Sequence, residues 1–166
     1  MNHVWLVKKA QQGDADAFVT LIEQHKQGLY KVAKSYLSSE ADIADVMSET
    51  TLSAYEHLSE LKTAAYFKTW ITRILINHCK NVLKKQKRYV TVEEMPKQII
   101  YEDSTADKDF MDLIRELPED YRLIFVLYYG EGFLTREIAE ILEISENTVK
   151  SRLRRGRVKL EHALQA

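Results

Sequence analysis

Apolar residues recur at steps of three and four through most of this chain, and that period is the strongest constraint on its fold. Phe18, Leu21, Ile22, Leu29, Val32 and Tyr36 follow it, as do Ile43, Val46, Met47, Thr50, Ala54 and Leu58. Trp70, Ile71, Ile74, Leu75, His78 and Val82 continue it over a third stretch. Each set lines one face of an α-helix, where side chains three and four apart stack above one another. A strand would alternate at every second residue. The 166 residues include five Gly and two Pro, too few to punctuate a turn-rich β fold. The sequence therefore predicts an all-α protein made of two small helical domains.

The punctuation that exists sets the elements. A short helix over 3–11 ends near Gly13, and Asp14 caps a longer one reaching Leu37. Two further helices are expected over 40–61 and 64–88. Residues 90–108, VTVEEMPKQIIYEDSTADK, lose the helical period and carry a Pro and several acids. We read 91–108 as an acidic linker between a domain at 1–90 and a second at 109–166; a tethered strand within one domain is the alternative. A helix is expected over 109–116. Pro118 suits the first turn of the next one, which Gly130 and Gly132 end.

Net charge is −1, and its distribution says more than its size. Residues 61–92 hold eight basic residues and no acid, and residues 147–160 hold six basic and no acid. Between them, residues 93–120 hold three basic and ten acidic residues. Solvated surfaces more often mix the signs. In the first basic block Arg73, Asn77, Lys80, Lys84 and Lys87 step by four and three along one helix face. That stripe is about 20 Å long at a rise of roughly 1.5 Å per residue. Upstream, Asp42, Asp45, Glu49, Glu56 and Glu60 make an acidic face.

The second basic block lies in a helix-turn-helix pattern. Thr135 caps a helix to Leu142, the turn is Glu143-Ile144-Ser145, and Ser145 caps a second helix from Glu146. Ile138, Ala139, Leu142, Ile144, Val149 and Leu153 supply its core. Glu146, Asn147, Lys150, Ser151 and Arg154 stay exposed where such helices reach base edges. Arg152, Arg155, Arg157 and Lys159 are placed for phosphates. Glu143 falls where the turn wants a positive φ, a strain of roughly 1 kcal/mol for a residue with a Cβ. An αα-hairpin with a solvated basic face is the bland alternative.

Other classes fit poorly. Cys79 is the single cysteine, which excludes an internal disulfide and a multi-cysteine zinc site. Adjacent on a helix, His78 and Cys79 point about 100° apart and cannot pair as base and nucleophile. No phosphate-binding loop, dinucleotide fingerprint or HExxH pattern is present. No enzymatic activity, cofactor or metal is expected. The N-terminus lacks the long apolar core of a signal peptide, and no run of 18 apolar residues occurs. A cytoplasmic protein without membrane insertion is expected.

Two segments together resemble one family. LPEDYRLIFVLYYGEGFLTREIAEILEISENTVKSRLRRGRVKL is similar to region 4 of extracytoplasmic-function (ECF, group 4) sigma factors of the sigma-70 family, which binds the promoter −35 element. ADIADVMSETTLSAYEHLSELKTAAYFKTWITRILINHCKNVLKKQKR is similar to their region 2. The resemblance implies docking on core RNA polymerase, through its β′ clamp helices and β flap. Asp42, Asp45, Val46, Glu49 and Thr50 match the clamp-docking helix. It implies −10 recognition and strand opening by Lys62, Tyr66, Phe67, Trp70, Arg73, Asn77, Lys80 and Lys84, with residues 59–69 as the reading loop. Phe67 and Trp70 are equally consistent with core packing. It implies −35 contacts by Glu146, Asn147, Lys150, Ser151, Arg154, Arg155 and Arg157. It further implies a stress-response regulon, sequestration by a membrane-bound anti-sigma factor, and a linker threaded toward the polymerase RNA channel. Two positions depart from the family pattern: Ser48 stands where Gln is frequent, and Glu143 where Gly is. The rival reading is a free-standing helix-turn-helix regulator, with residues 1–90 as a sensor.

Overall fold

The computed structural model describes residues 3–89 and 105–165. Among them every regular element is helical, and they fall into two compact units, one on each side of residue 97.

The N-terminal unit has four α-helices: α1 (His3–Gln11), α2 (Ala15–Tyr36), α3 (Glu40–His57) and α4 (Phe67–Tyr89). Gly13 turns the chain at φ 99°, and the extended Asp14 then accepts the Ala17 N–H at 3.1 Å to start α2. Ser39 does the same for α3, accepting the Asp42 N–H at 3.3 Å. The core takes the expected Phe18, Leu21, Leu29 and Val32 from α2, Ile43, Val46, Thr50 and Ala54 from α3, and Ile71 and Leu75 from α4. On α4 the buried face is rotated from the expected one: Phe67, Ile76 and Cys79 are buried, whereas Trp70, Ile74, His78 and Val82 are half-buried. Leu6 and Val7 close it from α1. The α-helix expected to reach residue 61 stops at His57. The chain tightens there into one 3-10 turn, Leu58–Glu60, and a second follows at Ala64–Tyr66.

The C-terminal unit contains α5 (Thr105–Ile114), α6 (Glu119–Phe125), α7 (Thr135–Leu142) and α8 (Glu146–Gln165). α5 begins before the expected 109. Pro118 sits just outside α6 rather than in its first turn, with its carbonyl accepting the Tyr121 and Arg122 N–H groups at 2.9 and 3.0 Å. The helix predicted to run to Tyr129 widens into a π-helical turn at Val126–Gly130, closed by Glu131 N–H to Val126 O at 3.0 Å. The expected cap of α7 is corrected by one residue. Leu134 is the cap, and because leucine has no side-chain acceptor, Glu137 reaches back to take the Leu134 N–H at 2.9 Å. Glu143 ends α7 in the left-handed region, φ 57° and ψ 43°, as the turn demanded. Ser145 caps α8 by accepting the Thr148 N–H at 3.1 Å. Ile138, Ile141, Val149 and Leu153 are the buried residues of the motif, over Ile124, Phe125 and Leu127 of the preceding segment. Ala139, Leu142 and Ile144, expected in that core, are half-buried. Among the described residues no helix is long and apolar enough to cross a membrane.

Candidate nucleic-acid interface

α8 separates support from display by position. Val149, Leu153 and Gly156, spaced by four and three, are buried. Glu146, Asn147, Lys150, Arg154, Arg155 and Arg157 are exposed, while Ser151 and Arg152 are half-buried. Side chains at the helix start are not loose. Thr135 donates its hydroxyl hydrogen to Glu146 at 2.9 Å across the turn, and Lys150 Nζ lies 3.5 Å from the same carboxylate. The Thr135 hydrogen bond, then the Lys150 ammonium, hold the Glu146 carboxyl below its ordinary range. Further along, Arg157 Nε donates to the Tyr129 hydroxyl at 2.6 Å, with the guanidinium 5.7 Å from the ring centroid. One edge of that guanidinium is thereby fixed from the π-helical turn.

Gly156 explains how α8 sits so close to α6. A Cβ there would collide with the buried Phe125 ring, 2.7 Å from its Cζ. A lone glycine inside an arginine-rich helix was the available signal for this close approach.

In the N-terminal unit the loop between α3 and α4 displays Lys62 and Tyr66, both exposed. Phe67, expected among the DNA-facing residues, is 0% exposed and cannot offer a ring face. It anchors the end of the loop instead, with the Trp70 ring 5.9 Å away and half-buried. Along α4, Asn77, Lys84 and Lys87 are exposed, whereas Arg73 and Lys80 are half-buried. The stripe is therefore displayed unevenly, with long stems lying on the surface beneath charged heads.

The acidic face of α3 needs a similar correction. Asp45 and Glu49 are exposed and Asp42 half-exposed, but Val46 is 0% and Thr50 1% exposed. Those two belong to the core and cannot touch a partner directly. Asp42 accepts from Gln86 Nε2 at 2.9 Å, and Glu49 lies 3.2 Å from His78 Nδ1. His78 also meets Ser53 Oγ at 3.1 Å. This Ser–His–Glu line sits mid-helix, where backbone N–H groups are spent on the helix ladder, so it has no oxyanion donors. Cys79 is buried, and desolvation pushes its thiol up to about 12, which leaves it unreactive near neutral pH. Among the described residues no group of three or more His, Cys, Asp or Glu side chains is placed to hold a metal.

The sequence reading missed what lies under the loop. Gln11 Nε2 donates to Leu58 O at 3.0 Å and to Leu61 O at 2.9 Å. The His25 ring packs edge-on against Phe67 at 5.1 Å, and its Nδ1 donates to Leu21 O at 2.8 Å. No short-range pattern announces the contacts of Gln11 with Leu58 and Leu61, or of His25 with Phe67, between residues so far apart in the chain.

An all-helical protein with a basic helix-turn-helix in one unit, and a basic helix behind an exposed loop in another, is a DNA-binding transcription protein in class. Comparison with known proteins narrows this. Sigma-70 region 2 matches residues 21–89 and Sigma-70 region 4 matches residues 107–160. The chain is 31% identical to the RNA polymerase sigma factor SigV of Bacillus subtilis over 89% of this chain and 91% of that protein. It is 30% identical to the ECF RNA polymerase sigma-E factor of Haemophilus influenzae, over 96% of this chain and 94% of that one. Among solved structures, its fold resembles the sigma factor RpoE of Bartonella quintana, solved in complex with the anti-sigma factor NepR, at TM-score 0.73 and 23% identity, covering 90% and 97% of the two chains. The chain belongs to the ECF RNA polymerase sigma factors. A free-standing regulator would have no use for the region 2 match.

Proposed function

We propose that this sigma factor docks on core RNA polymerase through Asp42, Asp45 and Glu49 of α3, and that its two basic surfaces do different work. The exposed face of α8 binds duplex −35 DNA in the major groove, with Lys150 and Arg154 reading base edges and Arg155 and Arg157 holding phosphates. The loop at Lys62 and Tyr66, with Asn77 and Lys84 on α4, captures the unpaired strand of the −10 element. Opening is driven by binding energy, since capture of an extruded base costs only a few kcal/mol. The single observation that carries this reading is that two exposed basic surfaces occur on separate units of one sigma-family chain, one on a helix and one around a loop. We further propose a cytoplasmic location and control by an anti-sigma factor, a partner type present in the structure of the Bartonella relative; the resemblance to the family suggests that this partner is membrane-bound.

The test begins with run-off transcription by core polymerase on a promoter library, which supplies a template. Alanine at Lys62 or Asn77 is expected to damage open-complex formation, read by permanganate reactivity of unpaired thymines, more than initial binding. Alanine at Lys150 or Arg154 is expected to cost about 1–3 kcal/mol of binding and relax specificity. A premelted bubble rescues the first class and not the second. Rescue of both classes, or of neither, overturns the division of labour.

A further inference from the structure

We infer that Gln11 is a positioning residue for the −10 reading loop, so that helix α1 acts as a brace for base selection; this rests on the proposed −10 reading. α1 lies outside the residues 21–89 that match sigma-70 region 2, yet its last residue makes two long-range polar contacts to the loop.

The chemistry is specific to a primary amide. The 3-10 turn Leu58–Glu60 is closed by the Leu61 N–H, and a carbonyl can accept a second hydrogen bond beside that one. Leu58 O accepts the Leu61 N–H at 3.2 Å and Gln11 Nε2 at 3.0 Å, filling both of its lone-pair sites. Leu61 O accepts the other hydrogen of the same NH2 group at 2.9 Å. One side chain thus clamps two carbonyls three residues apart and fixes the direction in which the chain leaves the turn. Beyond the clamp, Lys62, Thr63, Ala65 and Tyr66 are exposed. Beneath it, Leu58, Leu61 and Phe67 are held in the core. A second contact from α1, His3 Nε2 to Ala65 O at 3.4 Å, touches the far side of the displayed stretch. A reading loop gains selectivity from such preorganisation, because a loop that reshapes itself accepts more than one base.

The experiment uses the full chain with core polymerase, on the library-derived promoter as duplex and on versions substituted singly across the −10 element. Gln11→Met keeps the side-chain size and removes both donors. It is expected to cut the ratio of activity on matched over substituted templates by about tenfold, the scale of one to two neutral hydrogen bonds. Core binding is expected to stay unchanged, and tryptic cleavage after Lys62 to accelerate. A purely structural role would lower activity on all templates together. An unchanged ratio therefore overturns the proposal. Gln11→Asn keeps the amide but withdraws it, and is expected to give the same pattern at smaller size; a wild-type ratio in this milder variant also overturns it. Lys62→Ala and Tyr66→Ala, run alongside, separate the two ideas. If neither changes the ratio, the −10 reading fails and base selection by the brace falls with it; if either changes it while Gln11→Met does not, the brace alone is overturned.

Discussion

In the C-terminal unit the residues proposed to face DNA and the residues that hold them alternate along one helix, α8: Lys150 beside Val149, Arg154 beside Leu153, Arg157 beside Gly156. In the N-terminal unit the proposed reading surface is a loop without a helical ladder of its own. It is held by Gln11, about four dozen residues earlier in the chain, and by the buried Phe67. A helix brings its own scaffold, so display requires only that one face be packed. A loop must borrow rigidity from elsewhere in the fold. The two surfaces should therefore fail differently, the first through packing of the whole element and the second through single polar contacts.

The largest expected effect tests the packing half of that contrast. Helix propensity alone says Gly156→Ala should stabilise α8, by up to about 1 kcal/mol. The Phe125 ring in the path of the new Cβ says the opposite, since overpacking a filled core costs about 1–3 kcal/mol. The ring is 2% exposed and has little room to retreat, so the steric term wins. Denaturation of the full chain is expected to show the C-terminal unit destabilised, with weaker duplex −35 binding. A stabilised Gly156→Ala protein would mean that α8 is not held tightly against α6, and the contrast would lose its sharper side.

The same contrast explains what could be read in advance. The turn of the helix-turn-helix was legible down to the positive φ at Glu143, as was the Ser145 cap, because they lie within one short segment; the α7 cap, at Leu134 rather than Thr135, and the burial of Ile141 were not. The core stripes of α2 and α3 were legible; on α4 only Ile71 and Leu75 were, because the buried face is rotated toward Phe67, Ile76 and Cys79. The exposure of individual site residues was not. Val46 and Thr50 match docking positions in a family pattern, yet they are buried, as their place in the α3 stripe predicts; Phe67, outside the expected α4 stripe, is buried as well. Three- and four-residue spacing gives a face, but near the edge of that face burial depends on the neighbouring helix. The π-helical turn at Val126–Gly130 had no signal at all in a continuous apolar run. The clamp by Gln11 was hidden because a glutamine at the end of a short helix is ordinarily a solvated residue.

A smaller effect is expected at Thr50, and it tests whether the docking face and the core are separate. Its side-chain oxygen is buried and makes no hydrogen bond in this structure. Replacing an unsatisfied buried hydroxyl with a methyl of the same shape removes a desolvation penalty, so Thr50→Val should stabilise the N-terminal unit by about 1 kcal/mol. Core polymerase binding should not change, because the residue is 1% exposed. Asp45→Lys combined with Glu49→Lys should instead abolish that binding while helicity persists. Loss of polymerase binding in Thr50→Val would return the residue to the docking surface.

The smallest effect concerns His25, under the loop, and it distinguishes the two units by pH. Burial lowers the pKa of this imidazole below its ordinary 6.5, and the nearby His3 and Lys68 act in the same direction. The hydrogen bond from Nδ1 to Leu21 O acts against them without reversing the direction. Above the ordinary value the ring is neutral in folded and unfolded chains alike, and stability does not depend on it. As pH falls below 6.5 the unfolded chain takes up a proton that the folded chain resists, so stability falls until the folded value is passed. Amide exchange between about pH 7.5 and about pH 5.5 should therefore show the N-terminal unit opening more readily toward acid. The His25→Gln protein should show a shallower slope over the same range. In the C-terminal unit His162 is exposed on the last turn of α8, away from the buried residues of that helix, so the substitution should leave exchange there unchanged. Equal slopes in the wild-type and His25→Gln N-terminal units would mean that the ring pressed against Phe67 is as easily protonated as one in water. The apolar seat of the loop would then be far more open to solvent than the edge-on contact at 5.1 Å implies.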